Sequence, residues 1–356
     1  MKIALLTYFA ADNYGATLQA YATIKALEKC GHEVELVNFV IPESVSSIAK
    51  KMMLYPKHLK FERFRNKHFQ HLTKSYKTVS ELQANPPKAD CYLVGSDQTW
   101  NPDISQDMAK GFFLDFGDEK VLKASYAASF GKDEWNDTRW ISADDVKRLF
   151  AYFNFVSVRE TSGVKLLKEK FGVKEVTQVL DPVLLFEHYP ELTGAITPSH
   201  DIVLYKLVNS EEFYDKCREV GNQLSLPLRS IGSIRRIKGV RCGYPESLEG
   251  WIRRIAGAKY VITDSFHGTV ISLLYRKQFV SCVGNPKRVT RLKSLLDILG
   301  LSDRFISEIN DASSIIAKLR EPINYDHVNG ILKELRLSSF CFIKTINNKR
   351  VCKIHL

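Results

Sequence analysis

The residues most able to do chemistry lie in TDSFHGT, Thr263–Thr269, set between the apolar runs AKYVI and VISLLYR. A strand that stops in a polar loop and opens a helix suits an anion, because the helix start presents N–H groups and the positive end of the dipole. His267 can act there as a general acid or base, or as a charged phosphate contact. Gly268 lets backbone approach closely, and Ser265 and Thr269 offer hydroxyls. The plain alternative is a helix cap built on Asp264 or Ser265 beside a buried histidine. Arg159, in SVRE, stands where another strand ends. It reads as a guanidinium fork for a phosphate or carboxylate, or as a local ion pair with Glu160. Arg288 and Arg291, in NPKRVTRL, open a further helix. They either complete an anion site or lie on a solvated face.

A second set of residues suits sugar hydroxyls. Asp12, Asn13, Tyr14 and Gln19 follow the first apolar run, and Asp97, Gln98, Trp100 and Asn101 follow CYLVG. Asn, Asp and Gln hydrogen-bond to hydroxyls and aromatic rings stack on sugar faces. Asp97 is a candidate acid or base. Ordinary turn chemistry is the competing explanation for both loops. No G-x-G-x-x-G is present, so a dinucleotide is not indicated, and no His-x-x-x-His or other ligand pair points to a metal.

Elements that end at these loops must position them. Strand-type runs at 2–9, 33–40, 91–95, 122–129, 155–160 and 176–181 alternate with helical segments at 16–31 and 161–172. The rhythm restarts after a proline-bearing stretch at 181–200, with runs at 202–208, 227–233, 259–265 and 278–284. Alternation of this kind predicts parallel sheets covered by helices, so the fold class is α/β: two doubly wound Rossmann-like domains facing a cleft. The expected boundaries are 1–185, 198–325, and a C-terminal helix and basic tail at 326–356 that packs on the first domain. Ligands bind beyond the carboxyl ends of strands in such sheets, where all the loops above fall.

The chain of 356 residues carries a net charge of +11, with 45% hydrophobic and 26% charged residues. No apolar run reaches the length of about 20 residues needed to span a membrane. The N-terminal apolar run is too short for a signal peptide. The seven cysteines are scattered and odd in number, which favours reduced thiols in a cytoplasm. Between Lys50 and Lys77 there are nine Lys or Arg residues against one acid, interleaved with Tyr55, Phe61, Phe64, Phe69 and Tyr76. This is either a solvated basic helix with a buried aromatic face or a peripheral contact for anionic membrane. Nucleic acid is not expected, since no reading motif accompanies the charge.

Six segments, NYGATLQAYA, VGSDQTWN, SYAASFG, VSVRE, LDPVLL and TDSFHGTVISLLY, occur in an order that resembles the polysaccharide pyruvyl transferase family across residues 1 to 300. The resemblance implies a GT-B-like fold. It implies transfer of a pyruvyl group from phosphoenolpyruvate to a sugar, as a 4,6-ketal on a hexose such as galactose, with release of phosphate. The acceptor it implies is a capsular or exopolysaccharide precursor, carried as an undecaprenyl-diphosphate-linked oligosaccharide at the inner face of the plasma membrane. No cofactor is expected; phosphoenolpyruvate is the donor substrate. His267, Asp97 and Arg159 then read as catalytic. Ser265, Gly268, Thr269, Arg288 and Arg291 read as donor-binding, and Asp12, Asn13, Tyr14, Gln19, Gln98, Trp100 and Asn101 as acceptor-binding. Many relatives carry an arginine where this chain has Ser265. Two other functions fit the same layout: a GT-B glycosyltransferase using a nucleotide sugar, and a non-catalytic glycan-binding protein.

Overall fold

The computed structural model describes residues 1–40, 48–208, 210–233, 236–284, 289–307 and 311–347. The chain forms two compact units. One comprises the described residues of Met1–Lys50, Arg65–Leu185 and Lys333–Leu356; the other comprises those of Lys51–Phe64 and Phe186–Leu332.

The first unit is built on a parallel sheet of β1 (Lys2–Leu6), β2 (Glu33–Leu36), β3 (Cys91–Val94) and β4 (Leu122–Ser125), in the order β2-β1-β3-β4. Bridges from Ala124 to Phe155 and from Ala128 to Val158 carry the sheet on to β5 (Ser157–Val158) and β6 (Thr177–Gln178). The central strand CYLV is buried along its whole length, as expected for a strand covered on both faces. Its aromatic core gathers Trp100, Phe112, Phe113, Phe130 and Phe150. The chain leaves β1 for β2 and returns on the other side as β3, so the order reverses between β1 and β3.

The second unit has six parallel strands: β7 (Ile202–Tyr205), β8 (Leu228–Ser230), β9 (Arg241–Cys242), β10 (Tyr260–Thr263), β11 (Gln278–Cys282) and β12 (Phe305–Ile306). Their order is β12-β11-β10-β7-β8-β9. That is the doubly wound Rossmann order, with the reversal between β7 and β10.

Two features depart from the sequence reading. Residues 51–64 belong to the second unit although they lie within the segment 1–185. The stretch 181–200, whose three prolines read as a linker, starts inside the core: Asp181 to Leu185 are buried, and Pro182–Leu185 forms a 3-10 turn. In the basic segment, Phe61, Phe64, Phe69 and Tyr76 are buried while Tyr55 is exposed. The aromatic residues thus form an inner face under a basic outer one.

Candidate functional site

In the second unit the Thr263–Thr269 loop sits at the β7/β10 reversal, where such sheets bind ligands. Each of its side chains has a separate task. Thr263 Oγ1 donates to the Tyr205 carbonyl at 2.7 Å and accepts from the Ser265 N–H, stitching the loop to the end of β7. Asp264 accepts from the N–H groups of Leu207 and Val208 at 2.7 and 3.1 Å. It also pairs with Lys206 Nζ at 3.0 Å, with both side chains almost fully enclosed. Ser265 is the N-cap of the helix Phe266–Leu274, and its Oγ accepts the Gly268 N–H. Thr269 shares a hydroxyl bond with Ser281 at 2.7 Å.

Ser265, Gly268 and Thr269, expected at the donor, also have structural tasks. All three build the helix start. A Cβ on Gly268 would stand 2.6 Å from Thr263 Oγ1 and 2.9 Å from the Tyr205 ring, so the glycine permits close packing of helix on strand. His267 remains as the imidazole in the first helical turn, 7% exposed, with Phe266 edge-on to it at 5.3 Å. Arg291, from the helix Thr290–Ile298, places its guanidinium 5.9 Å from the Phe266 ring centre. Arg291 thus lies by the ring of Phe266, the residue before His267. Arg288 lies outside the described residues.

In the first unit, Asp97 follows β3 at the β1/β3 reversal. Its backbone is left-handed, φ 73°, a strained state for a residue with a side chain. The Asp97 carbonyl accepts from the N–H groups of Thr99 and Ser129, which fixes that conformation. Arg159 grips the side chain: Nη2 donates to Asp97 Oδ1 at 3.1 Å. Its Nη1 donates to Asp181 Oδ2 at 2.7 Å and to Ser96 Oγ at 3.2 Å, and Nε lies 3.7 Å from Glu160. Ser96 Oγ in turn donates to Asp181. Burial opposes the charged guanidinium, but Asp181, Asp97 and Glu160 outweigh it and hold its pKa above the ordinary value.

Arg159, Glu160 and Asp181 have side chains 1% exposed, whereas Asp97 retains 19%. The Arg159 fork, expected either on a donor anion or in an ion pair, donates here to Asp181 and Asp97. Asp97 is the member of the network that offers a carboxylate edge to a ligand.

The other sugar-loop residues divide. Trp100 is fully buried, its ring stacked on Phe113 at 5.7 Å and its indole N–H bonded to the Phe112 carbonyl, so it cannot stack on a sugar. Gln19 is fully buried and its amide nitrogen serves Thr7 Oγ1 and the Tyr8 and Ala16 carbonyls. Asn101 donates to Gln98 Oε1 at 2.9 Å and caps the turn at Asp103. Asn13 caps the helix Tyr14–Lys29, in which Tyr14 is buried. All of these but Asn13 are buried. Asp12 accepts from Arg65 Nη1 at 3.0 Å and keeps a side chain 25% exposed.

Sequence reasoning missed Lys206 and Asp181. Lys206 is a lone cation ending the apolar strand IVLY, and Asp181 is an acid directly before a proline. Each signal was present, but its partner lies far along the chain. Among the described residues no group of three or more His, Cys, Asp or Glu is placed to hold a metal ion. Among them, too, no helix is long and apolar enough to cross a membrane.

Two Rossmann-type units with a polar loop at each strand reversal define a two-domain α/β protein of the GT-B type. Solved structures share this fold. The UDP-GlcNAc 2-epimerase of Methanocaldococcus jannaschii, in complex with UDP-GlcNAc and UDP, aligns with TM-score 0.56 at 12% identity, covering 94% of this chain and 99% of that one. The UDP-GlcNAc 2-epimerase of Neisseria meningitidis gives 0.55 at 11%, covering 96% and 100%. Arabidopsis thaliana UGT89C1 complexed with UDP gives 0.55 at 10%, covering 97% and 98%. Comparison with curated proteins returns no match. The family model for polysaccharide pyruvyl transferase matches residues 13–286, and the chain belongs to that family.

Proposed function

We propose that the protein transfers the pyruvyl group of phosphoenolpyruvate to a sugar of a bacterial capsular or exopolysaccharide precursor, forming a cyclic ketal and releasing phosphate. The observation that carries this reading is His267 at the start of a helix on the β7/β10 reversal, with the Arg291 guanidinium 5.9 Å from the ring of the adjoining Phe266. A doubly charged anion is favoured at such a helix end, and a guanidinium complements phosphate or carboxylate.

The chemistry needs an acid at carbon. Protonation of the methylene C3 leaves C2 oxocarbenium-like. One sugar hydroxyl bonds to C2 and gives up its proton, the C2–O bond to phosphate breaks with its electron pair, and a second hydroxyl bonds to C2 and gives up its proton. One of the two hydroxyl protons replaces that spent on the methyl group, and the other leaves with phosphate. His267 is assigned the proton donated to C3. Arg291 and the helix start are assigned the phosphate. Asp97, its carboxylate oriented by Arg159, is assigned a hydroxyl of the acceptor, and Asp12 a second polar contact. No cofactor enters this scheme.

The finer acceptor is a 4,6-diol on a hexose such as galactose, carried on an undecaprenyl diphosphate, with the protein peripheral at the cytoplasmic face of the membrane. The basic outer face of residues 54–77 supports that placement. Isothermal titration of phosphoenolpyruvate tests the donor site. Saturable binding that weakens at least tenfold in Arg291→Ala is expected, the size of one lost charge-assisted contact. Binding unchanged in both Arg291→Ala and His267→Ala would overturn the donor assignment.

A further inference from the structure

A separate cavity of about 440 Å³ lies within the second unit, away from the Thr263–Thr269 loop in the chain. Its described lining is Lys60, Glu246, Ser247, Arg253 and Arg254, with Ala195, Thr197 and Gly250. Three elements supply the charge: Lys60 comes from the helix Ile48–His68, Arg253 and Arg254 from the helix Leu248–Gly257, and Glu246 from the turn before it. We propose that this cavity is a second anion site that takes a diphosphate group.

Three cations face one carboxylate there. Lys60 Nζ donates to the Pro245 carbonyl at 2.8 Å, a neutral acceptor. Arg253 Nη1 donates to the Thr193 carbonyl at 3.5 Å. Arg254 Nε stands 3.7 Å from Glu246, a loose pair with the arginine half exposed. Burial pushes the Glu246 carboxyl above its ordinary pKa, against backbone hydrogen bonds and the pull of Arg254 and Lys60. Fixed cations in a concave wall focus a positive potential, and a phosphate oxygen is the group that guanidinium forks and an ammonium complement together. The start of the Leu248–Gly257 helix, capped by Ser247, adds its dipole in the same direction.

The volume exceeds what one phosphate needs, and the fixed charges outnumber what a carboxylate would balance. No aromatic side chain is among the described lining residues, though the exposed Tyr244 ring lies 5.9 Å from Lys60 Nζ. A diphosphate, free or as the head of a larger molecule, matches both features. This site does not depend on the pyruvyl transfer reading.

The test is calorimetric titration of inorganic pyrophosphate into the full chain at low salt. Wild-type protein is expected to show a saturable event that weakens roughly tenfold or more in Arg254→Ala and in Lys60→Ala, the size of one charge-assisted contact. The same event should tighten in Glu246→Gln, which removes the competing charge, and survive in His267→Ala. Circular dichroism checks that each variant is folded; Arg254 is exposed enough to be replaced without opening the core. Farnesyl diphosphate as a second titrant separates the sources. Tighter binding than pyrophosphate supports the site and assigns it to an isoprenyl-linked diphosphate; equal binding supports it and assigns it to a free one. No saturable event, or one lost in His267→Ala and kept in Arg254→Ala, overturns the proposal.

Discussion

Replacing Arg159 by Met probes the centre of the first unit most sharply. The guanidinium is enclosed and touches three carboxylates, on Asp97, Glu160 and Asp181. Removing one partner of a buried ion pair costs about 3–5 kcal/mol, because the remaining charge is stranded. Asp181 suffers most: it has no appreciable exposure, and its closest contact with Arg159 is 2.7 Å. For a unit of this size each kcal/mol moves the melting temperature by roughly 2–4 °C, so Arg159→Met should lower it by about 6–20 °C. Adding Asp181→Asn neutralises the stranded charge and should recover part of the loss, with a coupling energy of about 1–3 kcal/mol. Thermal unfolding followed by circular dichroism on the four members of the cycle measures both quantities. A direct donor contact predicts something else: a folded, stable Arg159→Met protein with weakened phosphoenolpyruvate binding. A melting shift below about 2 °C, equivalent to under 1 kcal/mol, together with no recovery from Asp181→Asn, would refute the reasoning.

Other consequences can be measured in the same way. Trp100→Ala should cost about 3–5 kcal/mol of stability, as for other large core aromatics; Trp100→Phe, assayed kinetically, should leave the acceptor KM unchanged, since the ring is stacked on Phe113 and not on a sugar. Gly268→Ala places a methyl 2.6 Å from Thr263 Oγ1 and should destabilise the second unit by about 1–3 kcal/mol in denaturant unfolding. His32 has a pKa lowered from 6.5 by burial and by the N-terminal charge, partly offset by Ile343. The unfolded chain therefore takes up a proton first as pH falls below 6.5, and stability should drop from there until the folded-state pKa is passed. His32→Gln should flatten that portion of a melting-temperature profile against pH.

Much of the architecture was legible because parallel strands are local signals. CYLV and IVLY are continuous apolar runs, each followed by a polar loop, and both prove to be central strands. The motif TDSFHGT likewise declares a strand end, a cap and a helix start within seven residues. Side-chain destination was not legible. Trp100 and Asn101 look like sugar ligands until Phe113 and Gln98 occupy them. Arg159 looks like an anion fork until Asp97 and Asp181, 62 and 22 residues away, are brought to it. Gly268 looks like a backbone cradle until the Tyr205 ring is found against it. These outcomes depend on contacts between strands, which composition and spacing do not encode. The membership of residues 51–64 in the second unit is hidden for the same reason, since helical periodicity identifies an inner face but not what covers it.

The central claim is pyruvyl transfer, and the mass of the acceptor tests it most directly. Wild-type protein is incubated with phosphoenolpyruvate and a panel of galactose-, glucose- and mannosamine-containing glycosides and lipid-linked glycans, and the products are weighed by mass spectrometry. The account predicts a gain of about 70 Da on one acceptor, the three-carbon unit without its phosphate, with one phosphate released per transfer, and a rate lower by about 10²–10⁴ in His267→Ala. An acceptor that gains a sugar from a nucleotide donor and never a pyruvyl group, or transfer undiminished in His267→Ala, would contradict it.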